Sequence, residues 1–390
     1  MDEICDINKC TGCGLCSAVC SKNAISIITK GLHYYPIINH DRCNNCGLCS
    51  LKCIVNHPES LSASKECYAA WSKNPSEHFE CSSAGVATII SRYFIHNGGY
   101  VVGCAWDENL VATYMMTNKI SDLDKFKKSK YVHCFFPKEV YSAVLDKVKE
   151  GIEVLFIGVP CQSAALKRYV GKYSNRLYTC DLLCHGGCSP RLFKEHITRL
   201  QASVGKANNV TFRGGEYNCW FCLWGDNNKL LYCGGQYSDP YFYTFMRHTA
   251  LRPSCYNCLF AHGERPSDLT LADFWGLDES FIKEHELYTG VNLVIPLTEK
   301  GYEILSKIRP YIELFKRDIQ EAINGNETLQ ASTLMPKGYS LLQWAFPKFG
   351  LHKSLCLFDT TFQKIFIHSV LVSMLPMRVK RIIKKIIFRK

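Results

Sequence analysis

Cysteine is the residue type whose number and spacing reveal most about the chemistry of this 390-residue chain. Of its 23 cysteines, eight lie near the N-terminus in two runs of the form C-x2-C-x2-C-x3-C, the second shifted by 33 residues. Three thiolates spaced in this way suit one corner of an iron–sulfur cubane, and the fourth cysteine ligates the other cluster in two-cluster proteins. The spacing therefore predicts two 4Fe–4S clusters. Their expected ligand sets are Cys10, Cys13, Cys16 and Cys53 for one cluster, and Cys43, Cys46, Cys49 and Cys20 for the other.

Structural zinc is the alternative use of clustered cysteines. Zinc sites take four ligands, usually as two separated pairs, and a doubled run of this spacing is not typical of them. The proline that usually follows the fourth cysteine is replaced by Ser21 and by Ile54. We expect this difference to alter the potential of the clusters and not their ligation. The segment resembles a bacterial-type 2×4Fe–4S ferredoxin domain.

The bulk composition fits a globular protein, with 47% hydrophobic and 21% charged residues. No stretch reaches the ~18 consecutive apolar residues of a membrane-spanning helix, and the acidic N-terminus is not typical of a secretory signal. We therefore expect a cytoplasmic protein. Disulfides are rare in that compartment, so its cysteines are expected to be metal ligands or catalytic groups.

The positive charge is concentrated at the C-terminus. Residues 378–390 contain seven of the basic residues behind the net charge of +11, and no acid, which leaves 11 − 7 = +4 for the rest. This distribution predicts a basic tail and no nucleic-acid-binding body. Apolar residues recur there at helical spacing, which predicts a basic amphipathic helix lying on an anionic membrane surface, on the inner face of the membrane. A helix packed on the protein body with its charges in water is the alternative.

Between these ends, helix and strand patterns alternate, which is typical of α/β layers. The expected strands are Ala24–Ile28, Tyr34–Ile38, Gly99–Ala105, Val154–Ile157 and Leu177–Leu183. The expected helices are Gly85–His96, Lys138–Lys149 and Ser163–Val170. The predicted fold is an α+β ferredoxin-like module followed by an α/β flavoprotein domain. The expected boundaries are 1–60 for the module, 65–335 for the body, with two halves divided near 150–175, and 336–390 for the tail.

Several segments of the body contain unusual residues at turn positions. They are SerSerAlaGly at 82–85, SerLysTyr at 129–131, GlyValProCysGln at 158–162, CysHisGlyGlyCysSerPro at 184–190, ArgProSerCysTyrAsnCys at 252–258 and SerAspLeuThrLeuAlaAspPheTrpGly at 267–276. Together they resemble the beta-subunit family of coenzyme F420 hydrogenase/dehydrogenase, whose members often have an N-terminal ferredoxin pair. The chain departs from the family pattern at Val159, Gly187, Cys188 and Ala272. The resemblance covers nearly all of residues 1–300.

A third 4Fe–4S cluster is expected in the body. Cys161 and Cys184 each follow a predicted strand, and open α/β sheets bind ligands at the carboxyl ends of strands. Cys255 and Cys258 add a C-x2-C loop, so four thiolates are available, and the family resemblance implies a cluster beside a flavin. Buried cysteines often act only as small apolar residues, which is the alternative. Cys219 and Cys222 form another C-x2-C that could compete as ligands.

A flavin, expected to be FAD, would connect a hydride donor with one-electron clusters. Ser82, Ser83 and Gly85 precede a predicted helix, whose N-terminus could bind a phosphate, and Lys130 and Arg213 could neutralise a pyrophosphate. Helix capping by the serines and a solvated position for the two basic residues are the alternatives. No GxGxxG fingerprint occurs.

The resemblance implies an oxidoreductase that passes electrons between a hydride carrier, a flavin and 4Fe–4S clusters. The family's carrier is F420, and relatives also occur beside enzymes of polysaccharide biosynthesis. The expected partners are a redox protein or a hydride-carrying coenzyme, and no nucleic acid. The competing hypothesis is a non-enzymatic electron carrier whose α/β body only docks a partner.

Overall fold

A computed structural model describes residues 3–287 and 290–363. The strands are β1 Ile25–Lys30, β2 His33–Ile38, β3 Glu66–Ser72, β4 Tyr100–Trp106, β5 Ala112–Thr117, β6 Val154–Gly158, β7 Leu177–Leu182, β8 Asn209–Thr211, β9 Trp220–Trp224, β10 Leu230–Gly235, β11 Leu269–Asp273, β12 Asn292–Pro296 and β13 Ile312–Asp318. The α-helices are α1 Leu15–Ala18, α2 Leu48–Leu51, α3 Pro75–Glu80, α4 Val86–His96, α5 Leu123–Phe126, α6 Lys138–Lys149, α7 Pro160–Val170, α8 Pro190–Val204, α9 Pro240–Met246, α10 Glu279–Glu284, α11 Glu299–Ile308, α12 Ile319–Gly325 and α13 Gly338–Phe358.

The N-terminal repeat in the sequence is also a repeat in the backbone. Each cysteine run contains a single helical turn, α1 or α2, which begins after a glycine in the left-handed conformation. The φ angles are 82° at Gly14 and 75° at Gly47, a region that glycine adopts without a steric penalty. Between the two turns, β1 and β2 form an antiparallel hairpin.

An eight-stranded mixed sheet forms the centre of the body, in the order β13-β3-β12-β11-β7-β6-β4-β5. The four strands β11, β7, β6 and β4 are parallel to one another. Their side chains are almost entirely buried, as expected for parallel strands covered on both faces. The expected α/β architecture of the body is confirmed, whereas the mixed character of its sheet is an additional finding. A separate three-stranded sheet has the order β10-β9-β8.

The predicted elements agree closely with the structure, with one informative difference. The helix that follows β6 begins at Pro160 and not at Ser163, because proline is favoured in the first turn, where its missing N–H costs nothing. Cys161 therefore lies in the first turn of α7 and not in a loop. The same use of proline begins α8 at Pro190 and α9 at Pro240.

The segment that begins at residue 336 joins the body through α13. This helix packs against α8 and α9 and buries Leu342, Phe346 and Leu355 in the main apolar core. It is interrupted at Gly350, where φ is +72°. The predicted amphipathic helix within 376–390 lies outside the described residues. None of the described helices is both long and apolar enough to cross a bilayer.

Candidate functional site

Five of the N-terminal cysteines line one cavity. Cys10, Cys13 and Cys16 of the first run surround it together with Cys53 of the second run, and Cys5 lies in the same wall. Hydrogen bonding with the Cys5 thiol lowers the pKa of both Cys10 and Cys53 to about 6, although burial acts in the opposite direction. The same bonds raise the pKa of Cys5. The structure thus brings together the first predicted ligand set, with one additional thiol that the spacing did not indicate.

The loop of the first run approaches the body so closely that two of its positions require glycine. A Cβ atom at Gly12 would lie 2.5 Å from Cε1 of His133, and one at Gly14 would lie 2.9 Å from the carbonyl oxygen of Phe136. Both glycines have positive φ angles, which L side chains rarely adopt. This loop is therefore fixed against the body and is not a separate appendage.

The second ligand set includes an exposed cysteine, unlike the first. Burial raises the pKa of Cys49, and the thiols of Cys20 and Cys46 add to this effect, which identifies Cys20 as a neighbour of the second run. Cys20 Sγ accepts a hydrogen bond from the backbone N–H of Ala24 at 3.3 Å. Cys46 is exposed. Three members of the expected second set, Cys20, Cys46 and Cys49, are therefore neighbours.

The two single cysteines of the body lie at one edge of the central sheet. β6 and β7 are neighbouring parallel strands, so their carboxyl ends meet at this edge. Cys161 comes three residues after the end of β6, and Cys184 comes two residues after the end of β7. The C-x2-C pair, Cys255 and Cys258, lies in and just after a short 3-10 turn.

These four thiols are mutual neighbours. Burial raises the pKa of Cys161, and the thiols of Cys184, Cys258 and Cys255 raise it further. Burial raises the pKa of Cys184 to about 12, again with contributions from Cys255 and Cys258. Backbone N–H groups donate to two of the sulfur atoms, from Gly187 to Cys255 at 3.3 Å and from Phe260 to Cys258 at 3.4 Å. Such N–H···S bonds are among the interactions that set cluster potentials.

This third group adjoins the first ligand set. Cys13 is the next thiol after Cys255 among those that raise the pKa of Cys161 by their charge, beyond the larger effect of burial. Tyr141 lies between the two groups: its hydroxyl donates to the carbonyl of Cys13 at 2.9 Å. Burial raises the pKa of Tyr141, and Cys13, Cys16 and Cys161 all add to it. The body cysteines therefore lie beside the buried N-terminal set.

The competing C-x2-C pair is used differently. Cys222 lies opposite Cys233 in the β9–β10 pairing, and their sulfur atoms are 2.7 Å apart. Cys219 is exposed. Neither Cys219 nor Cys222 is among the main groups that shift the pKa of Cys161, Cys184, Cys255 or Cys258.

The donor sets suit clusters better than single ions. Within residues 3–287 and 290–363, no group of three His, Cys, Asp or Glu side chains is arranged to hold one metal ion. A cubane spreads its four thiolates over four irons, so its ligands surround a volume and do not converge on one point. The thiol-lined cavity, with backbone N–H groups directed at the sulfur atoms of Cys10, Cys13, Cys16 and Cys53, fits such a group.

Arg213 connects three of the segments that mark the family resemblance. Its guanidinium donates to Asp273 Oδ2 at 2.9 Å, to the hydroxyl of Tyr131 at 3.2 Å and to the carbonyl of Ser82 at 2.6 Å. Ser82 Oγ in turn accepts from the backbone N–H of Ser129 at 2.7 Å. Residues 82, 129–131, 213 and 273 therefore form one polar group, although their positions in the sequence are far apart.

The remaining predicted flavin residues, Ser83, Gly85 and Lys130, do not contact Arg213 through the hydrogen bonds described above. Gly85 is the N-cap of α4 with φ +84°, but Asn292 Oδ1 already accepts from the N–H groups of Ala84 and Val86 at 3.2 Å each. Ser83 Oγ donates to the carbonyl of Val291 at 3.2 Å. The ammonium of Lys130 donates to two backbone carbonyls, and burial lowers its pKa to about 8. The structure thus joins Ser82 to Arg213 and turns the Lys130 ammonium toward the backbone.

Two sequence families match the chain. Residues 152–321 match the family defined by the C-terminal part of the coenzyme F420 hydrogenase/dehydrogenase beta subunit, and residues 9–57 match a 4Fe–4S dicluster domain. The predicted resemblance to the F420 hydrogenase/dehydrogenase beta-subunit family is therefore confirmed over residues 152–321. Together with the dicluster match, it supports an oxidoreductase of the electron-transfer type with 4Fe–4S clusters.

A comparison with solved structures returns a chain of the F420-reducing [NiFe] hydrogenase complex from Methanosarcina barkeri, studied by xenon derivatization. It is 17% identical, with a TM-score of 0.47, and the match covers 77% of this chain and 94% of that one. No curated protein matches the sequence.

Proposed function

We propose that the chain is an iron–sulfur flavoprotein oxidoreductase that moves electrons between a hydride carrier, a flavin and three 4Fe–4S clusters. The observation that carries this proposal is the position of Cys161, Cys184, Cys255 and Cys258 beside Cys13. A third cluster on these four thiols would lie between the sheet edge, where α/β proteins bind ligands, and the buried N-terminal site.

When bound, a flavin exchanges hydrides as well as single electrons, whereas clusters exchange one electron at a time. The residues of the chain supply position and shielding. The body thiols hold one site against the main apolar core, and Tyr141 fixes the backbone of Cys13 next to it. The proposed order of sites is the body thiols, then the buried N-terminal set, then the more exposed set that includes Cys46.

For the flavin, we propose the polar group around Arg213, at the end of β11. Asp273 is the last residue of this strand. The guanidinium of Arg213 donates both to the Asp273 carboxylate and to the backbone carbonyl of Ser82. The side chain of Arg213 is mostly buried, so its charge would act strongly on a nearby anion. Ser83 and Gly85 lie directly before α4 in the chain. Lys130 follows Ser129, whose backbone N–H donates to the hydroxyl of Ser82. FAD is the proposed flavin, as the family resemblance implies.

The hydride carrier proposed first is coenzyme F420, because the matched family is named for it. A role in polysaccharide biosynthesis and a redox partner protein are further proposals that follow from the family resemblance. Electron flow in either direction is compatible with this arrangement of sites.

The deciding experiment combines metal analysis with reduction. Anaerobically reconstituted wild-type protein should contain about twelve irons, and the Cys255→Ser/Cys258→Ser variant about eight. The variant should no longer pass electrons from reduced F420 or a nicotinamide to the N-terminal clusters, whereas dithionite should still reduce them. Cys219→Ser/Cys222→Ser is the matched control, because it changes a C-x2-C pair outside the group and should keep about twelve irons.

Two results would contradict the proposal. Wild-type protein with only about eight irons would exclude the third cluster. Purified protein without flavin-type absorption, and with no hydride-driven reduction, would favour the alternative of an electron carrier whose body docks a partner.

We also propose peripheral membrane association through residues 376–390, on the basis of their sequence pattern. Each basic residue at an anionic surface contributes on the order of 1 kcal/mol. Protein lacking residues 376–390 should fail to float with anionic vesicles, whereas the full chain should float. Equal flotation of both forms would exclude this role of the tail.

A further inference from the structure

Arg252 is a buried cation without a carboxylate partner among the described residues. Its side chain is 1% exposed, and within residues 3–287 and 290–363 no carboxylate forms an ion pair with it. The guanidinium donates to the backbone carbonyls of Cys10 and of Tyr34, and Nη2 has no hydrogen-bond partner. Burying an unpaired charge costs several kcal/mol, so such a group indicates a missing anion.

A second buried arginine shows how such a charge is normally balanced. Arg265 is also 1% exposed, but its guanidinium forms an ion pair with the buried carboxylate of Asp181 at 2.7 Å. The contrast indicates that Arg252 is adapted to a negative charge that no carboxylate of the described residues supplies.

The position of Arg252 indicates what that anion is. The guanidinium donates to the backbone carbonyl of Cys10 and stands next to the loop of the first ligand set, where a Cβ at Gly12 would lie 2.8 Å from Nη1. The aromatic ring of Tyr35, another wall of the same cavity, lies 4.2 Å from the guanidinium carbon. A thiolate-bound cubane in this cavity would be an anion.

The backbone of the same residue belongs to the third group of cysteines. The N–H of Arg252 donates to the carbonyl of Gly187 at 2.9 Å, and its carbonyl accepts from the N–H of Cys255 at 2.9 Å. One residue thus connects the two sites between which electrons are proposed to pass. Burial and the charge of Arg252 lower the pKa of the nearby His33 and His133 imidazoles, that of His133 to about 3.

We infer that Arg252 sets the reduction potential of the cluster bound by Cys10, Cys13, Cys16 and Cys53, and so directs electrons from the body site to it. This inference rests on the proposed function. A fixed positive charge stabilises the reduced cluster, which carries one more negative charge, more than the oxidised one. An arginine remains protonated at all relevant pH values, so the effect does not depend on titration of the side chain.

The test is a potentiometric titration of reconstituted full-length protein, followed by electron paramagnetic resonance. Arg252→Gln should lower the one-electron reduction constant of the cluster at the first ligand set at least tenfold, which corresponds to a fall of about 59 mV in its reduction potential. The potential of the other N-terminal cluster should stay unchanged. Arg252→Lys should retain most of the wild-type potential, because it keeps the charge. An unchanged potential in Arg252→Gln at full iron content would overturn the inference.

Arg168 provides a matched control. Its guanidinium also contacts a ligand backbone of the same set, donating to the carbonyl of Cys53 at 3.2 Å, but its charge is paired with Glu59. Arg168→Gln should therefore shift the potential much less than Arg252→Gln. Equal shifts in the two variants would mean that any nearby arginine has this effect, and the specific role of Arg252 would be rejected.

A variant that loses iron is resolved by chemical rescue. Arg252→Ala would be reconstituted with low concentrations of guanidinium or of urea, its neutral analogue of the same shape. Recovery of iron and potential with guanidinium alone supports a role of the charge, whereas equal recovery with both, or with neither, overturns it. Wild-type protein without iron would instead contradict the proposed function itself, so the two failures are distinguishable.

Discussion

The two N-terminal cysteine groups share one spacing but lie in different surroundings. The turn α1 of the first run buries Leu15 at 1% exposure, and its loop contacts Phe136 and Arg252 of the body. In the second run, the equivalent Leu48 of α2 is 36% exposed and Leu51 is 61% exposed. Identical ligand chemistry is therefore placed once in the interior and once at the surface.

This difference separates the roles of two sites that the sequence presents as equal. A cluster at the first site would be shielded from water and lie close to the body thiols. A cluster at the second site would be accessible to an external redox protein. Because solvent exposure, local charge and hydrogen bonds to sulfur set cluster potentials, the two sites should also differ in potential.

The largest effect is expected from removing one ligand of each site separately. Here the inner cluster is the one at the first ligand set, which includes Cys13, and the outer cluster is the one at the second set, which includes Cys46. Cys13→Ala should remove or degrade the inner cluster and stop hydride-driven reduction of the outer one, because the proposed electron path passes through the inner site. Cys46→Ala should remove or degrade the outer cluster while the inner one is still reduced. Each change should cost up to about four irons, measured by metal analysis and electron paramagnetic resonance. If the two variants behaved alike under hydride-driven reduction, the inner–outer order would be wrong.

A smaller difference is expected in how readily small molecules reach the two N-terminal clusters. A soluble paramagnetic relaxation agent should broaden the resonance of the cluster near exposed Cys46 more than that of the cluster near Cys13. A hydrophilic iron chelator should likewise remove iron from the outer site first. Equal broadening of both signals would mean that the inner site is open to water. The Arg252→Lys variant, which keeps the buried surroundings, is a suitable control.

The smallest effect concerns the glycines that begin α1 and α2. An alanine in the left-handed conformation costs roughly 1–2 kcal/mol, so Gly47→Ala should lower stability by about this amount. Gly14→Ala should cost more, because its Cβ would also lie 2.9 Å from the carbonyl oxygen of Phe136. Thermal loss of the visible cluster absorbance gives the comparison. A larger loss in Gly47→Ala would show that the inner loop can move away from the body.

Much of the fold was predictable because its signals are local. The period of apolar residues located β4, β6, β7 and α6 to within one or two residues, and α6 has its predicted limits of Lys138–Lys149. The start of α7 was missed because the apolar pattern alone does not reveal the preference of proline for the first helical turn. The mixed character of the sheet was not predicted, since the antiparallel pairing of β3, β12 and β13 joins segments far apart in the chain.

The site shows the same division between local and distant signals. Cys5 was assigned no role because it lies outside the repeated spacing, yet its thiol lies between Cys10 and Cys53. Arg252 was missed for the same reason, although its place three residues before Cys255 could have drawn attention to it. The polar group of Ser82, Arg213 and Asp273 was only partly anticipated, because no pattern in the sequence shows which distant side chains will meet.

The sequence by itself determined the chemistry of this protein, because cluster ligation depends on cysteine residues and on spacings of two or three residues between them. These spacings do not depend on how the rest of the chain packs. It also determined the family and most strand and helix positions, since these follow from short patterns. Only the tertiary structure decided which site is buried, which thiols of the body lie beside Cys13, and which arginine is left without a carboxylate. Those properties arise from contacts between segments up to 242 residues apart, such as Cys10 and Arg252. The energy of such contacts depends on burial and on neighbouring charges, neither of which is encoded in any local stretch of the chain.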